Sequence, residues 1–172
     1  YKHRLVALLA LGGLQGVFGW FMVKSGLAGT MTDVSHFWLS IHLLTAFFTL
    51  GGLVWTALDL RQLANRSAPR SLWTVTASWV GAILFVQLLL GAWVAGLNAG
   101  LASDTWPLMQ GRLVTEFDAS GGVFHAITHD PFLIHFLHRW WAWVAFVALI
   151  VMARRVKPIA RPASIAMNAL LG

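Results

Sequence analysis

The groups able to do chemistry in this 172-residue chain are few: seven histidines, six acidic side chains and no cysteine. The missing thiols exclude a structural disulfide, a thiolate metal site, a cysteine nucleophile and a dithiol relay. Two histidines, His42 and His138, stand inside apolar stretches, about 7 to 9 Å in from Phe37 and Phe132 when counted at 1.5 Å per residue. An ionisable group in a membrane span is costly and normally faces the interior of a bundle, so each is a functional candidate. A neutral imidazole offers one lone pair to a metal, and with no thiolate and no inward carboxylate to accompany it, heme iron is the metal that fits best. The competing reading is a histidine that hydrogen-bonds across helices as packing glue.

Around this pair lie groups with two readings each. His135, one turn before His138, either supports it from behind or faces the interface. Arg139 is too deep for a casual surface charge; it either meets a heme propionate or snorkels outward. Trp140, Trp141 and Trp143 pack on a porphyrin face or against lipid. His125 and His129 are four residues apart, but without further ligands beside them they read as loop residues rather than a metal pair. His3 and His36 read as interfacial.

The elements that must position these groups follow from composition. Only 10% of the residues are charged and 58% are hydrophobic, which excludes an ordinary water-soluble domain. Four stretches, Leu5 to Val23, Phe37 to Leu58, Trp73 to Leu97 and Phe132 to Met152, are each 19 residues or longer and apolar enough to cross a bilayer as helices. The fold class is an all-α polytopic membrane protein. Lys2, Arg4, Arg61, Arg66, Arg70, Arg154, Arg155, Lys157 and Arg161 flank one side, whereas Asp33, Asp104, Glu116, Asp118 and Asp130 lie on the other with Lys24 and Arg112. By the positive-inside rule the first side is cytoplasmic or matrix-facing, and the loop 98–131 faces out. The net charge of +6 is therefore topogenic, attracted to anionic lipid, and not a nucleic-acid footprint. Trp20, Trp38, Trp73 and Trp93 fall near span ends, where an interfacial belt is the default explanation. Gly12, Gly13, Gly16, Gly19, Gly91 and Gly96 give the first and third spans small faces suited to close helix packing. The chain opens at Tyr1 and reads as the middle of a longer protein.

An internal echo accompanies the histidines. Gln15 and Gly19 in the first span are matched by Gln87 and Gly91 in the third, and each unit continues into a helix with a histidine, His42 or His138, followed four residues on by Ala46 or Ala142. The Gln-to-His separations are 27 and 51, so the second unit has 24 extra residues, most of them in its outer loop. A parallel repeat about an axis along the membrane normal accounts for this pattern.

Taken together the motifs resemble a known family. The run Gly12-Gly13-Leu14-Gln15-Gly16 with Gly19-Trp20-Phe21-Met22-Val23-Lys24-Ser25-Gly26-Leu27 is similar to heme A synthase, a membrane enzyme of cytochrome oxidase assembly. So are Val34-Ser35-His36-Phe37 with Ile41-His42-Leu43, and Gly91-Ala92-Trp93-Val94-Ala95-Gly96-Leu97 with Ala99-Gly100. Thr105-Trp106-Pro107-Leu108-Met109 with Gly111, and Phe136-Leu137-His138-Arg139, complete the series in family order over nearly the whole chain. Val114-Thr115, where the family usually has proline, and His135, where glutamine is common, depart from the pattern. The chain resembles the cysteine-free branch.

The resemblance implies an eight-helix bundle of two four-helix halves. Residues 1–72 would hold the last two helices of the N-terminal half, and 73–172 the first two of the C-terminal half. Read alone, the residues invite one heme clamped between His42 and His138; the resemblance implies instead that histidines pair within each half, with His42 as ligand of the substrate-side heme, His138 as ligand of a heme b cofactor, and Arg139 at the cofactor. Their partner histidines and the catalytic acid would lie outside this stretch. The implied reaction oxidises a methyl substituent of heme O to a formyl group in a bacterial inner membrane, with the mitochondrial inner membrane as the alternative. Heme O is the implied substrate; heme O synthase, an electron donor and a second copy of the chain are implied partners. A non-enzymatic heme-handling protein would carry its tryptophans in an outer loop with an acid, and a b-type quinol-linked carrier would yield no porphyrin product. A farnesyl-transferring enzyme would need an Asp-rich magnesium motif, which is absent.

Overall fold

The computed structural model describes residues 1–26, 33–65, 74–158 and 161–169. Leu27, Arg66, Arg70 and Trp73, along with the Arg161 side chain, lie outside the described residues. Six α-helices occur: α1 (Lys2–Gly26), α2 (His36–Ala64), α3 (Val75–Gly96), α4 (Val123–His129), α5 (Pro131–Val156) and α6 (Arg161–Ala169), with a 3-10 turn at Ala99–Ala102 and no β-strand among the described residues. Helices α1, α2, α3 and α5 are long and apolar enough to cross a membrane. At 1.5 Å per residue even the 22-residue α3 reaches about 33 Å, against about 30 Å of hydrocarbon. All-α and polytopic is therefore the architecture. Helices α1, α2 and α5 run past the apolar stretches because polar flanks such as Lys2, Arg4, Arg61 and Arg155 also favour helix once the apolar run has nucleated it, whereas α3 lies within its stretch, beginning after Thr74 and ending before Leu97.

The chain divides into two compact units, Tyr1–Leu72 and Trp73–Gly172. In the first, α1 and α2 form an antiparallel hairpin. Ser25 Oγ donates to the Met22 carbonyl (2.7 Å) and accepts from the Ser35 amide (3.2 Å), joining the end of α1 to the start of α2. A Cβ at Gly52 would sit 2.6 Å from Leu8 Cδ2, so this glycine is what lets Leu8 reach the α2 backbone. At the far end Arg4 Nη1 meets Asp59 Oδ2 at 2.6 Å, with the guanidinium over the Tyr1 and Trp55 rings. Phe21 stacks on Trp38 at 4.8 Å, and Lys24 lies over Trp20, so these two belt tryptophans have partners within the hairpin.

In the second unit α3 packs on α5. Thr74 caps α3 by accepting from the Ala77 amide at 3.1 Å. Asp130 caps α5 by accepting from the Leu133 amide at 2.8 Å, with Pro131 in the first turn, where a missing N–H costs nothing. Trp141 Nε1 donates to the Ile83 carbonyl at 2.9 Å, a bond across the two helices. Arg155 Nη1 donates to Thr76 Oγ1 at 3.2 Å, and Ser164 ties α6 to the Ala153 carbonyl.

Each two-helix layer buries one stripe per helix and leaves the other faces apolar, as at Leu9 and Trp79. Such faces suit lipid or neighbouring helices. Gly12, Gly13 and Gly16 lie on an open face, where an added Cβ would meet nothing within 4 Å. Close packing inside the hairpin thus explains Gly19 but not these three.

Replacing Trp141 with phenylalanine keeps an aromatic ring and removes the Nε1–H donor together with the pyrrole part of the indole. The loss is expected to cost about 1 kcal/mol, read as a lower unfolding midpoint of the full-length protein in detergent; an unchanged midpoint would show that the bond contributes nothing.

Candidate functional site

The histidines of the two long second helices sit at equivalent depths. His42 is six residues beyond the first residue of α2 and His138 seven beyond the first of α5, about 9 and 10 Å along the axes. Each faces a glycine on the preceding helix. A Cβ built on Gly19 would lie 3.2 Å from His42 Cε1, and one on Gly91 would lie 3.1 Å from His138 Cε1. Both distances are tighter than a side chain normally accepts, so glycine is what seats the edge of each imidazole against a helix backbone. One turn before each glycine stands a glutamine that bonds to the histidine. Gln15 Nε2 donates to the His42 carbonyl at 3.1 Å, and Gln87 Nε2 lies 3.3 Å from His138 Nδ1.

The echo read from Gln15, Gly19 and His42 is therefore a structural repeat within each unit. Counterparts are 72 residues apart on the first helix of each unit and 96 apart on the second. The same offsets relate two bonds that the motifs alone did not reveal: Arg4 corresponds to Thr76 and Asp59 to Arg155. In one unit the cation comes from the first helix, in the other from the second. Applying the two offsets to polar residues near the span ends would have found these pairs.

Other groups differ between the units. Arg139 takes the place of Leu43, and His135 that of Leu39. Arg139 Nη1 donates to the Thr105 carbonyl (2.7 Å) and Nη2 to the Ser103 carbonyl (2.9 Å), while its guanidinium lies over Trp106. It thus clasps the start of the long loop to α5. Trp106 in turn lies 6.0 Å from Trp140 and 6.4 Å from Trp143, which places these two tryptophans against the loop, while Trp141 faces α3. His135 is buried, with Nδ1 unpartnered, and His36, expected at the interface, is buried at the start of α2 against Phe37.

The signature Thr105-Trp106-Pro107-Leu108-Met109 with Gly111 builds the loop. Thr105 Oγ1 donates to the Leu108 carbonyl and accepts from the Gln110 amide; Met109 and Arg112 exchange backbone bonds across a turn with positive φ at Gln110 and Gly111. Gly111 suits that conformation because it has no Cβ to strain. Met109 is anchored at 2% exposure. Arg112 pairs with Glu116. His125 and His129 stack face to face at 4.5 Å, with Thr128 Oγ1 bonded to His129 Nδ1, and no group of three metal-ligating side chains occurs among the described residues. Asp118 accepts from the Ser120 amide at 2.8 Å. That bond, and then the Ser120 side chain and the nearby His125, hold its carboxyl below the ordinary carboxylate value.

These residues fit an iron porphyrin. Each seated imidazole is half-buried, a glycine leaves room where a side chain would intrude, and the orphaned polar atoms lie in the same places: His42 Nδ1 and Gln87 Oε1 are buried without a partner. A ligating nitrogen on one side of the ring, with the other nitrogen inside the protein, is the arrangement heme histidines require.

Membrane-crossing helices that carry two equivalent, glycine-seated imidazoles define a polytopic α-helical membrane protein with two candidate heme-ligand positions. The sequence model of the cytochrome oxidase assembly protein family matches residues 1–172, and the chain belongs to that family. Among its relatives, heme A synthase of Erythrobacter litoralis is 58% identical over 173 residues, covering 100% of this chain and 51% of the relative. Heme A synthase of Sphingopyxis alaskensis is 62% identical over 156 residues, 90% of this chain and 44% of that protein. Heme A synthase of Novosphingobium aromaticivorans is 51% identical over 180 residues, again 100% of this chain and 51% of the relative. The chain spans about half the length of the curated relatives it matches. No solved structure matches it. Bacterial relatives and four apolar helices make it a multi-pass bacterial membrane protein.

Two outcomes follow for the loop. Arg139→Leu removes the clasp, so trypsin is expected to cut after Arg112 several-fold faster; an unchanged rate would show that the loop is held elsewhere. For Asp118 the sign is that of a depressed carboxylate: its stabilisation is complete above the free aspartate value, near 3.9, and is lost as pH falls through the lowered one. The Ser120 amide shift, followed by NMR, should titrate below free aspartate; a midpoint at or above it contradicts the hydrogen bond.

Proposed function

We propose that the full protein is a heme A synthase that oxidises a methyl substituent of heme O to a formyl group. His138 is a ligand of a resident heme b, and His42 a ligand of the substrate-side heme. The observation that supports this most directly is that a glycine-seated histidine occurs twice, at equivalent positions, in a chain whose relatives bear that name. When bound, heme b would supply one-electron iron chemistry, with a potential tuned by the residues that hold it.

The chain's own residues bind and orient. Gly19 and Gly91 keep the space in which each imidazole lies, and the apolar faces of α1, α2, α3 and α5 exclude water from it. A guanidinium has five N–H groups, and Arg139 spends two N–H donors on the Thr105 and Ser103 carbonyls. Those remaining suit a heme propionate, so one side chain would join the cofactor to the loop. Trp140 and Trp143, packed with Trp106, hold the loop against α5. The remaining heme ligands and the catalytic acid would belong, in this reading, to the half of the relatives' length that this chain does not cover, as would completion of an eight-helix bundle. An enzyme that makes heme O, an electron donor and a second copy of the protein are its proposed partners.

Expression of the complete gene, with a reduced-minus-oxidised spectrum and extraction of its hemes, tests the assignment. Heme b together with heme O or heme A is expected in the parent, and His138→Ala should lose heme b. Retention of heme b in that variant would remove His138 from the site; formation of heme A without heme b would remove the cofactor from the reaction.

A further inference from the structure

The two units use the same three residue types and bond them differently. Gln15 gives its amide N–H to the main chain of His42, and His42 Nδ1 is left buried and bare. Gln87 reaches the imidazole itself, 3.3 Å from His138 Nδ1, while its own Oε1 is buried without a partner. We infer that Gln87 is the positioning residue that makes His138 a fixed ligand, its amide oxygen accepting a hydrogen bond from Nδ1–H, and that the bare Nδ1 of His42 makes the other site the weaker, exchangeable one.

The chemistry follows from the imidazole. A neutral ring has one N–H and one lone pair, so a histidine that gives its Nε2 lone pair to iron must carry its proton on Nδ1. That proton needs an acceptor, and the amide of Gln87 is the group in reach. Its oxygen and nitrogen exchange places on a half-turn about the terminal bond. With the oxygen toward Nδ1, the orphaned Oε1 gains a donor, the tautomer is fixed and the ring plane is held. A hydrogen bond at Nδ1 also makes the imidazole more basic, which favours ferric over ferrous iron.

Among the described residues His42 has no such acceptor. If it ligates through Nε2, its Nδ1–H is left buried without a partner, which weakens the ligand and leaves its ring orientation to Gly19 alone. A cofactor must stay and a substrate must leave, and the two hydrogen-bonding patterns differ in that sense. This inference rests on the proposed function, which assigns His138 to the resident heme and His42 to the substrate.

Redox titration and heme analysis of the full-length protein test it. Gln87→Leu is expected to raise the midpoint potential of heme b, about 59 mV for each tenfold loss of ferric over ferrous affinity, and to weaken heme retention about 10- to 100-fold. Gln87→Glu, which still accepts from Nδ1, should restore retention and hold the potential at or below that of the parent. Gln15→Leu should leave the heme b potential where it was. An unmoved potential in both Gln87 variants, even with heme content reduced, overturns the inference and makes Gln87 a packing residue. Loss of heme b in His138→Ala alongside that result would leave the proposed function standing, whereas retention of heme b there would remove both.

Discussion

A helix backbone can approach the edge of an imidazole only where it carries no side chain. Gly19 and Gly91 meet that condition, and the rest of each unit is arranged around it. The contact fixes the distance between the paired helices at one level in the membrane. The glutamine one turn away then falls within hydrogen-bonding reach, and the ends of the hairpin are closed by Arg4 with Asp59 or Arg155 with Thr76. A methyl group at Gly91 would push the His138 ring outward and disturb its bond with Gln87 together with it, whereas at Gly19 it would displace the His42 ring and leave the bond of Gln15 to the main chain in place.

In the proposed function, two copies of this arrangement with unequal decoration would serve two porphyrins with different fates. In the unit with the short connection, His42 is flanked by Leu39 and Leu43 and keeps a bare Nδ1. In the other unit the same positions hold His135 and Arg139, and the loop between α3 and α5 is folded onto α5. The outer loop of the second unit is thus tied to the residue that follows the histidine proposed to hold the retained cofactor.

The helices were legible because a bilayer demands long apolar runs, and few other physical requirements produce four of them in 172 residues. His42 and His138 were legible for the same reason, as polar groups where polar groups are costly. The hydrogen-bonding partners were harder to see. Arg139 binds main-chain carbonyls, which every residue possesses, so nothing in the sequence marks Ser103 and Thr105 as its acceptors. Trp141 donates to the Ile83 carbonyl and was hidden in the same way. The glycines were readable as a group but not individually: Gly19 seats a ring, whereas Gly12, Gly13 and Gly16 face open space. Only the three-dimensional register separates them.

The grip of Arg139 on carbonyls has a consequence for how the loop can vary. Main-chain acceptors are indifferent to side-chain identity, so positions 103 and 105 can change residue type without releasing the guanidinium, provided the backbone keeps its path. What the grip does not tolerate is a change of length between Gly96 and Trp106, because that would carry the carbonyls past a donor fixed on a helix. Insertions and deletions are expected instead beyond the Met109 to Arg112 turn, where the chain from Leu113 toward α4 is exposed apart from the buried Thr115. The loop therefore has a part that keeps its length and a part that is free to lengthen, and the boundary between them is drawn by a side chain one residue from His138.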